Sequence, residues 1–103
     1  EKKALGFYLD GRVSAVFGTH THVQTSDECI LEKKTGYITD LGMCGAIDSV
    51  LGVKKEVIIR KFKTNLPAFF ETPENLPCEI NGCIFCIDEK SGSCTEVERV
   101  RFQ

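Results

Sequence analysis

The chain has 103 residues, 42% of them hydrophobic and 27% charged, with 13 basic against 15 acidic side chains and a formal net charge of −2. This is the length and make-up of one globular domain. It excludes a basic nucleic-acid footprint, because no Lys/Arg stripe forms, and a helical membrane span, because no apolar run approaches the ~20 residues that crossing a bilayer requires.

From the N-terminus, Leu5, Tyr8 and Leu9 recur at helical spacing with Phe7 alongside, which predicts a helix over 2–10 with Asp10 and Gly11 at its end. Residues 12–18 read as a buried strand that delivers Gly18-Thr19-His20-Thr21-His22-Val23. His20 and His22 are the only histidines of the chain. In extended backbone, residues i and i+2 point to one side, so the two imidazoles can face one point in space. Neutral imidazole nitrogen suits zinc, iron, nickel and copper and also serves manganese, so a metal site at the end of this strand is one reading. The plainer one is two polar residues in a solvated loop, since two ligands do not close a site.

The stretch 23–31 carries no clear period. Residues 33–36 form a turn and 37–39 a short strand ending at Asp40. If 12–18 and 37–39 are parallel neighbours, the loops after them lie on the same rim, where ligands collect in open α/β sheets. Asp40 then joins His20 and His22 there, or serves as a turn or cap residue. Residues 41–45 are a glycine-bracketed loop, and Asp48-Ser49 opens a short turn of helix. Apolar positions 53, 57, 58 and 62 predict a helix, although the β-branched Val57, Ile58 and Ile59 also permit a strand. Asn65-Leu66-Pro67 ends that element.

Beyond Pro67 the texture becomes strand-like, at 69–71, 78–87 and 94–102, with 88–93 as a hairpin connection. A slip in the alternation at Arg99-Val100 reads as a bulge. The chain is thus a single segment with an α/β part over 1–66 and a β-rich part over 67–103. The spacing Cys78-x4-Cys83-x2-Cys86-x7-Cys94 raises a zinc or redox module. Against it, residues three apart in a regular strand point to opposite faces, and core packing is the default for such cysteines. With no secretion signal visible and ample apolar sequence, the six cysteines read as unbridged cytoplasmic thiols. Ser49 and Thr39 lack the surroundings of a nucleophile: there is no GxSxG and no third histidine to act as base.

Taken in order, Gly11-Arg12-Val13-Ser14-Ala15-Val16-Phe17-Gly18-Thr19-His20-Thr21-His22-Val23-Gln24-Thr25 resembles the final metal-binding motif of calcineurin-like metallophosphoesterases, and more narrowly that of the YmdB-type cyclic-nucleotide phosphodiesterases. The resemblance continues through 37–43, 48–52 and 62–67, and through the opening residues 1–11; the tail from Pro73 fits only as a pattern of strands. It implies the C-terminal half of a four-layer α/β/β/α sandwich. It implies a centre of two divalent metal ions, with His20 a ligand of one and His22 of the other. The Asp, Glu, Asn and further His ligands, and the catalytic residues, are expected in a missing N-terminal half. Thr21 and Asp40 are the candidates for lining the substrate pocket. The implied reaction of the parent enzyme is hydrolysis of a cyclic nucleotide or related small phosphodiester in the cytoplasm, without DNA or membrane. The implication for this chain alone is inactivity, and association into homo-oligomers through its uncovered apolar surface. The alternatives are a non-catalytic oligomerising or binding module and a cysteine-based zinc module.

Overall fold

A computed structural model of the chain describes residues 1–74 and 77–103. Its order is α1 (Lys2–Leu9), β1 (Ala15–Phe17), β2 (Cys29–Ile30), β3 (Gly36–Ile38), β4 (Gly45–Ala46), β5 (Ser49–Val50), β6 (Val53–Lys54), α2 (Lys55–Thr64), β7 (Cys78–Ile87) and β8 (Cys94–Phe102). The fold is mixed α/β and rich in strands. Its contacts divide the chain into two compact units, one of residues 1–43 with 81–102 and one of 44–80 with Gln103.

The first unit is built on the sheet β1-β3-β2, in which β1 and β3 run parallel, with Ala15, Val16 and Phe17 opposite Gly36, Tyr37 and Ile38. The parallel relation needed to bring the two loops to one rim is therefore present. β2 runs antiparallel to β3 on the other side. Tyr37 and Ile38 are buried, as are Leu31 and Cys94. β8 lies against β2 and β3, so the C-terminal hairpin packs onto the N-terminal sheet. Gly36 lies in that seam, where a Cβ would come within 2.7 Å of both Cys94 Sγ and the Phe85 ring. Along β7 the shielded residues alternate, Asn81, Cys83 and Phe85 inward and Ile80, Ile84 and Cys86 exposed, as one covered sheet face requires. β8 is continuous over Cys94–Phe102, and its least exposed positions are Cys94, Val97 and Val100.

Helix α1 departs from its expected face. Gly6, not Leu5 or Tyr8, is its buried residue. A Cβ at Gly6 would meet the Tyr37 ring at 2.7 Å, so the missing side chain lets the helix backbone rest on that ring while Leu5, Phe7 and Tyr8 stay more than half exposed. The helix ends as expected, with Gly11 in the left-handed region at φ 79.

In the second unit β4 pairs antiparallel with Cys78 and Glu79 of β7, and β5 with β6. The turn between β5 and β6, Leu51-Gly52, has φ of 52 and 85, the two positive values that twist a two-residue hairpin correctly. Asp48-Ser49 thus leads into a strand rather than a helical turn; the Asp48 carboxylate instead accepts from Lys55. Residues 53–62 resolve into two short strand positions and then helix α2, closed by Asn65 at φ 55. Residues 69–71 are not a strand; Glu71 pairs with Lys54, and the Lys61 ammonium lies over the Phe70 ring.

Candidate metal-ligand loop

After β1, residues 20–23 form consecutive bends, so the extended geometry expected for His20-Thr21-His22 is absent. His22 has φ 64, in the left-handed region, and this breaks the strand rule that would place positions 20 and 22 on one side. Both histidines and Thr21 are solvent-exposed. The loop is nevertheless closely held.

What holds it is the segment after β3. Leu41 N–H donates to the Gly18 carbonyl at 2.8 Å, Met43 N–H to the His22 carbonyl at 3.1 Å, and Thr25 N–H to the Asp40 carbonyl at 3.1 Å. Asp40 lies beneath, fully buried. Its Oδ2 accepts from the Thr21 N–H, between the two histidines, at 2.5 Å and from Lys2 Nζ at 3.3 Å; its Oδ1 accepts from the Gly42 N–H at 2.9 Å. Burial pushes this carboxyl upward, but the Gly42 and Thr21 donors and the Lys2 ammonium outweigh it and hold the group down at about 2, against 3.8 for a free aspartate. Asp40 is therefore placed under the loop and engaged by its backbone, with no side-chain surface toward an open cleft. Thr21 is spent locally as well: its hydroxyl donates to the Val23 carbonyl at 2.9 Å.

Two glycines make the close approach possible. At Gly18 a Cβ would strike the Thr39 carbonyl oxygen and lie 2.6 Å from Lys2 Nζ. At Gly42, φ is 82 and a Cβ would lie 2.9 Å from the Gln24 nitrogen. Three residues that sequence reasoning passed over complete the support. Lys2 reaches Asp40 from α1; Gln24 Nε2 donates to the carbonyls of Gly82 at 2.9 Å and Val100 at 3.1 Å; the nearly buried Asn81 donates to the Met43 carbonyl at 2.8 Å. Each acts on a residue far off in sequence, so no local pattern marks it.

The two imidazoles are thus presented on the surface of a loop fixed by a buried charge. Among the described residues, no three His, Cys, Asp or Glu side chains gather around one point that a metal ion could occupy. The cysteines divide otherwise than core packing predicts: Cys94 is buried, Cys29 and Cys83 are half-buried, and Cys44, Cys78 and Cys86 are exposed, with no disulfide among them. Cys83 and Cys86 lie three apart on continuous β7, the geometry in which side chains diverge.

A family model described as YmdB-like protein matches residues 1–100. The chain belongs to the YmdB-like family. A Bacillus subtilis relative named 2′,3′-cyclic-nucleotide 2′-phosphodiesterase is 51% identical over 100 residues, which are 97% of this chain and 38% of that protein. Two crystal structures have the same fold, each with a TM-score of 0.91. One is a hypothetical protein of Thermus thermophilus, 36% identical, with 99% of this chain and 39% of that one covered. The other is titled a novel phosphatase, from Mycoplasma pneumoniae, 37% identical, with 98% and 36% covered. The chain therefore spans well under half the length of the relatives it matches.

Proposed function

We propose that this chain supplies part of the dinuclear metal centre of a phosphodiesterase acting on cyclic nucleotides or related small phosphodiesters. The observation that carries the reading is the exposed His20/His22 pair on a loop that a buried aspartate holds in place, in a chain of the YmdB-like family. The residues fit the group in part: two surface imidazoles are suitable donors for iron, manganese or zinc, and they are fewer than a catalytic site needs. His20 would bind one ion and His22 the other, with the remaining ligands and the catalytic residues in sequence outside this chain. A bound pair of divalent ions supplies Lewis acidity toward the phosphoryl oxygens and an activated water. The chain's own residues do the positioning. Asp40 fixes the peptide between the two ligands through the Thr21 N–H, and Gly18 lets the loop lie close to β3. Thr21 and Asp40, the candidates for the substrate pocket, shape it only by fixing this loop.

On the same reading the complete domain is a four-layer α/β/β/α sandwich of which this chain is the C-terminal half, working in the cytoplasm; no helix of the described residues is long and apolar enough to cross a membrane. The exposed Phe7, Phe17, Phe62 and Phe69 support a further covering segment or, for the chain alone, self-association. In the first unit a cavity of about 230 Å³ lies beside Leu5, Phe17 and Tyr37. The 103 residues by themselves are expected to be inactive.

The test is metal-dependent hydrolysis of 2′,3′-cyclic and 3′,5′-cyclic nucleotides by the complete gene product. His20→Ala and His22→Ala should each lower kcat by at least ~100-fold and reduce bound metal measured by elemental analysis. Unchanged turnover and metal content in both variants would overturn the proposal.

A further inference from the structure

At the end of the β1/β3 pair away from the histidine loop, three turns enclose a polar cavity of about 170 Å³, bounded by Gly11–Ser14, Lys33-Lys34 and Ser91–Ser93. The cavity is rigidly framed. The buried Thr35 accepts the Gly11 N–H at 2.8 Å and donates its hydroxyl to the Val13 carbonyl at 2.7 Å. Asp10 turns its carboxylate to the Lys33 N–H at 2.9 Å and the Thr35 N–H at 3.3 Å. Cys94 N–H donates to the Lys34 carbonyl at 2.8 Å, which ties the hairpin end to the turn.

Three cationic residues, Arg12, Lys33 and Lys34, line this space, and none forms an ion pair with a carboxylate among the described residues. The Arg12 guanidinium stacks on the Tyr8 ring at 4.9 Å, which limits its rotation without consuming its N–H donors. The hydroxyls of Ser14 and Ser93 are also without partners among the described residues. Gly92, at φ 73, leaves the wall open: even a Cβ there would lie 3.6 Å from Ser14 Oγ. The hairpin turn carries two acids, Asp88 and Glu89, beside Lys90; Asp88 accepts from the Lys90 N–H and the Ser91 hydroxyl.

We propose that this cavity binds a phosphate dianion, free or as the phosphomonoester of a small molecule. Three uncompensated cations and two unpaired hydroxyls on a fixed frame match an acceptor-only group of high charge. A phosphodiester carries a single charge, so the site favours monoesters over diesters. Binding at this cavity requires neither the metal nor turnover.

The experiment is amide chemical-shift titration of the isotopically labelled complete gene product at constant ionic strength, with inorganic phosphate, adenosine 5′-monophosphate and dimethyl phosphate as separate probes. Saturable shifts at Ser14, Lys34, Gly92 and Ser93 with inorganic phosphate are expected, with weaker ones for dimethyl phosphate. Tighter binding of the nucleotide than of phosphate would identify a monoester as the source, and equal or weaker binding would identify the free ion. Arg12→Gln and Lys33→Gln, each with an otherwise unchanged spectrum, should weaken binding about five- to tenfold. Non-saturable shifts, or equal affinity in both variants, would overturn the proposal; so would equal affinity for dimethyl phosphate.

Discussion

Replacing Asp40 by Asn changes the charge under the histidine loop while keeping its shape. The carboxylate accepts Gly42 N–H on one oxygen, and Thr21 N–H and Lys2 Nζ on the other. An amide can keep one oxygen toward Thr21 and Lys2, but then turns N–H groups toward the Gly42 N–H. A buried donor left facing a donor costs about 1–3 kcal/mol. The lost attraction to Lys2, whose side chain is 34% exposed, adds under ~1 kcal/mol. The depressed pKa of Asp40 leads to a similar figure. A carboxyl drawn from 3.8 to about 2 contributes about 2.4 kcal/mol to folding. Because the folded-state value is the lower one, that stability is complete above the unfolded pKa and disappears as pH falls from about 4 through 2. Urea unfolding of the complete gene product and of Asp40→Asn should therefore differ by about 2–4 kcal/mol at pH 7, with the gap closing below pH 4. A difference under ~0.5 kcal/mol at pH 7, or a gap that is the same at pH 5 and pH 2, would refute the assignment of Asp40 as the charge that holds the loop.

Gly18→Ala should destabilise by about 1–3 kcal/mol, because the new methyl meets a backbone carbonyl that cannot swing away; thermal unfolding checks this. Alkylation of the native protein at pH 8 should modify the exposed Cys86 well before Cys94, whose thiol is buried and pushed up by that burial, and mass spectrometry of digests reads the order. The isolated 103-residue chain should sediment as dimers or larger species at micromolar concentration, given Phe69 at 93% and Phe62 at 78% exposure; a compact monomer would contradict this.

The elements with strong local signals are legible from residue order. The strand-like runs 78–87 and 94–102 match β7 and β8, α2 falls where positions 57, 58 and 62 share a helical face, and β1 and β3 pair in the parallel sense on which a shared rim depends. The departures share one cause, which is that contacts distant in sequence decide the local geometry. The apolar residues before His20 and His22 suggest a strand, whereas the Gly18, Thr21 and His22 backbone groups bond to residues 40–43 and curl the chain. Asp40 has the sequence position of a rim residue, and nothing near it announces that Lys2 and Thr21 converge on it. The Phe69-Phe70 pair has the composition of a strand, but the segment makes a single backbone bond to β6, Lys54 N–H to the Glu71 carbonyl, and no ladder among the described residues.

His22 occupies a backbone conformation that glycine adopts freely and a histidine adopts against a cost of about 1 kcal/mol or more. A His22→Gly chain should thus gain foldedness in the same step that removes its imidazole. Selection for robustness alone drives this position toward glycine, so a library screened only for thermal endurance would discard the ring, and one screened for turnover would keep it at the expense of a lower melting point.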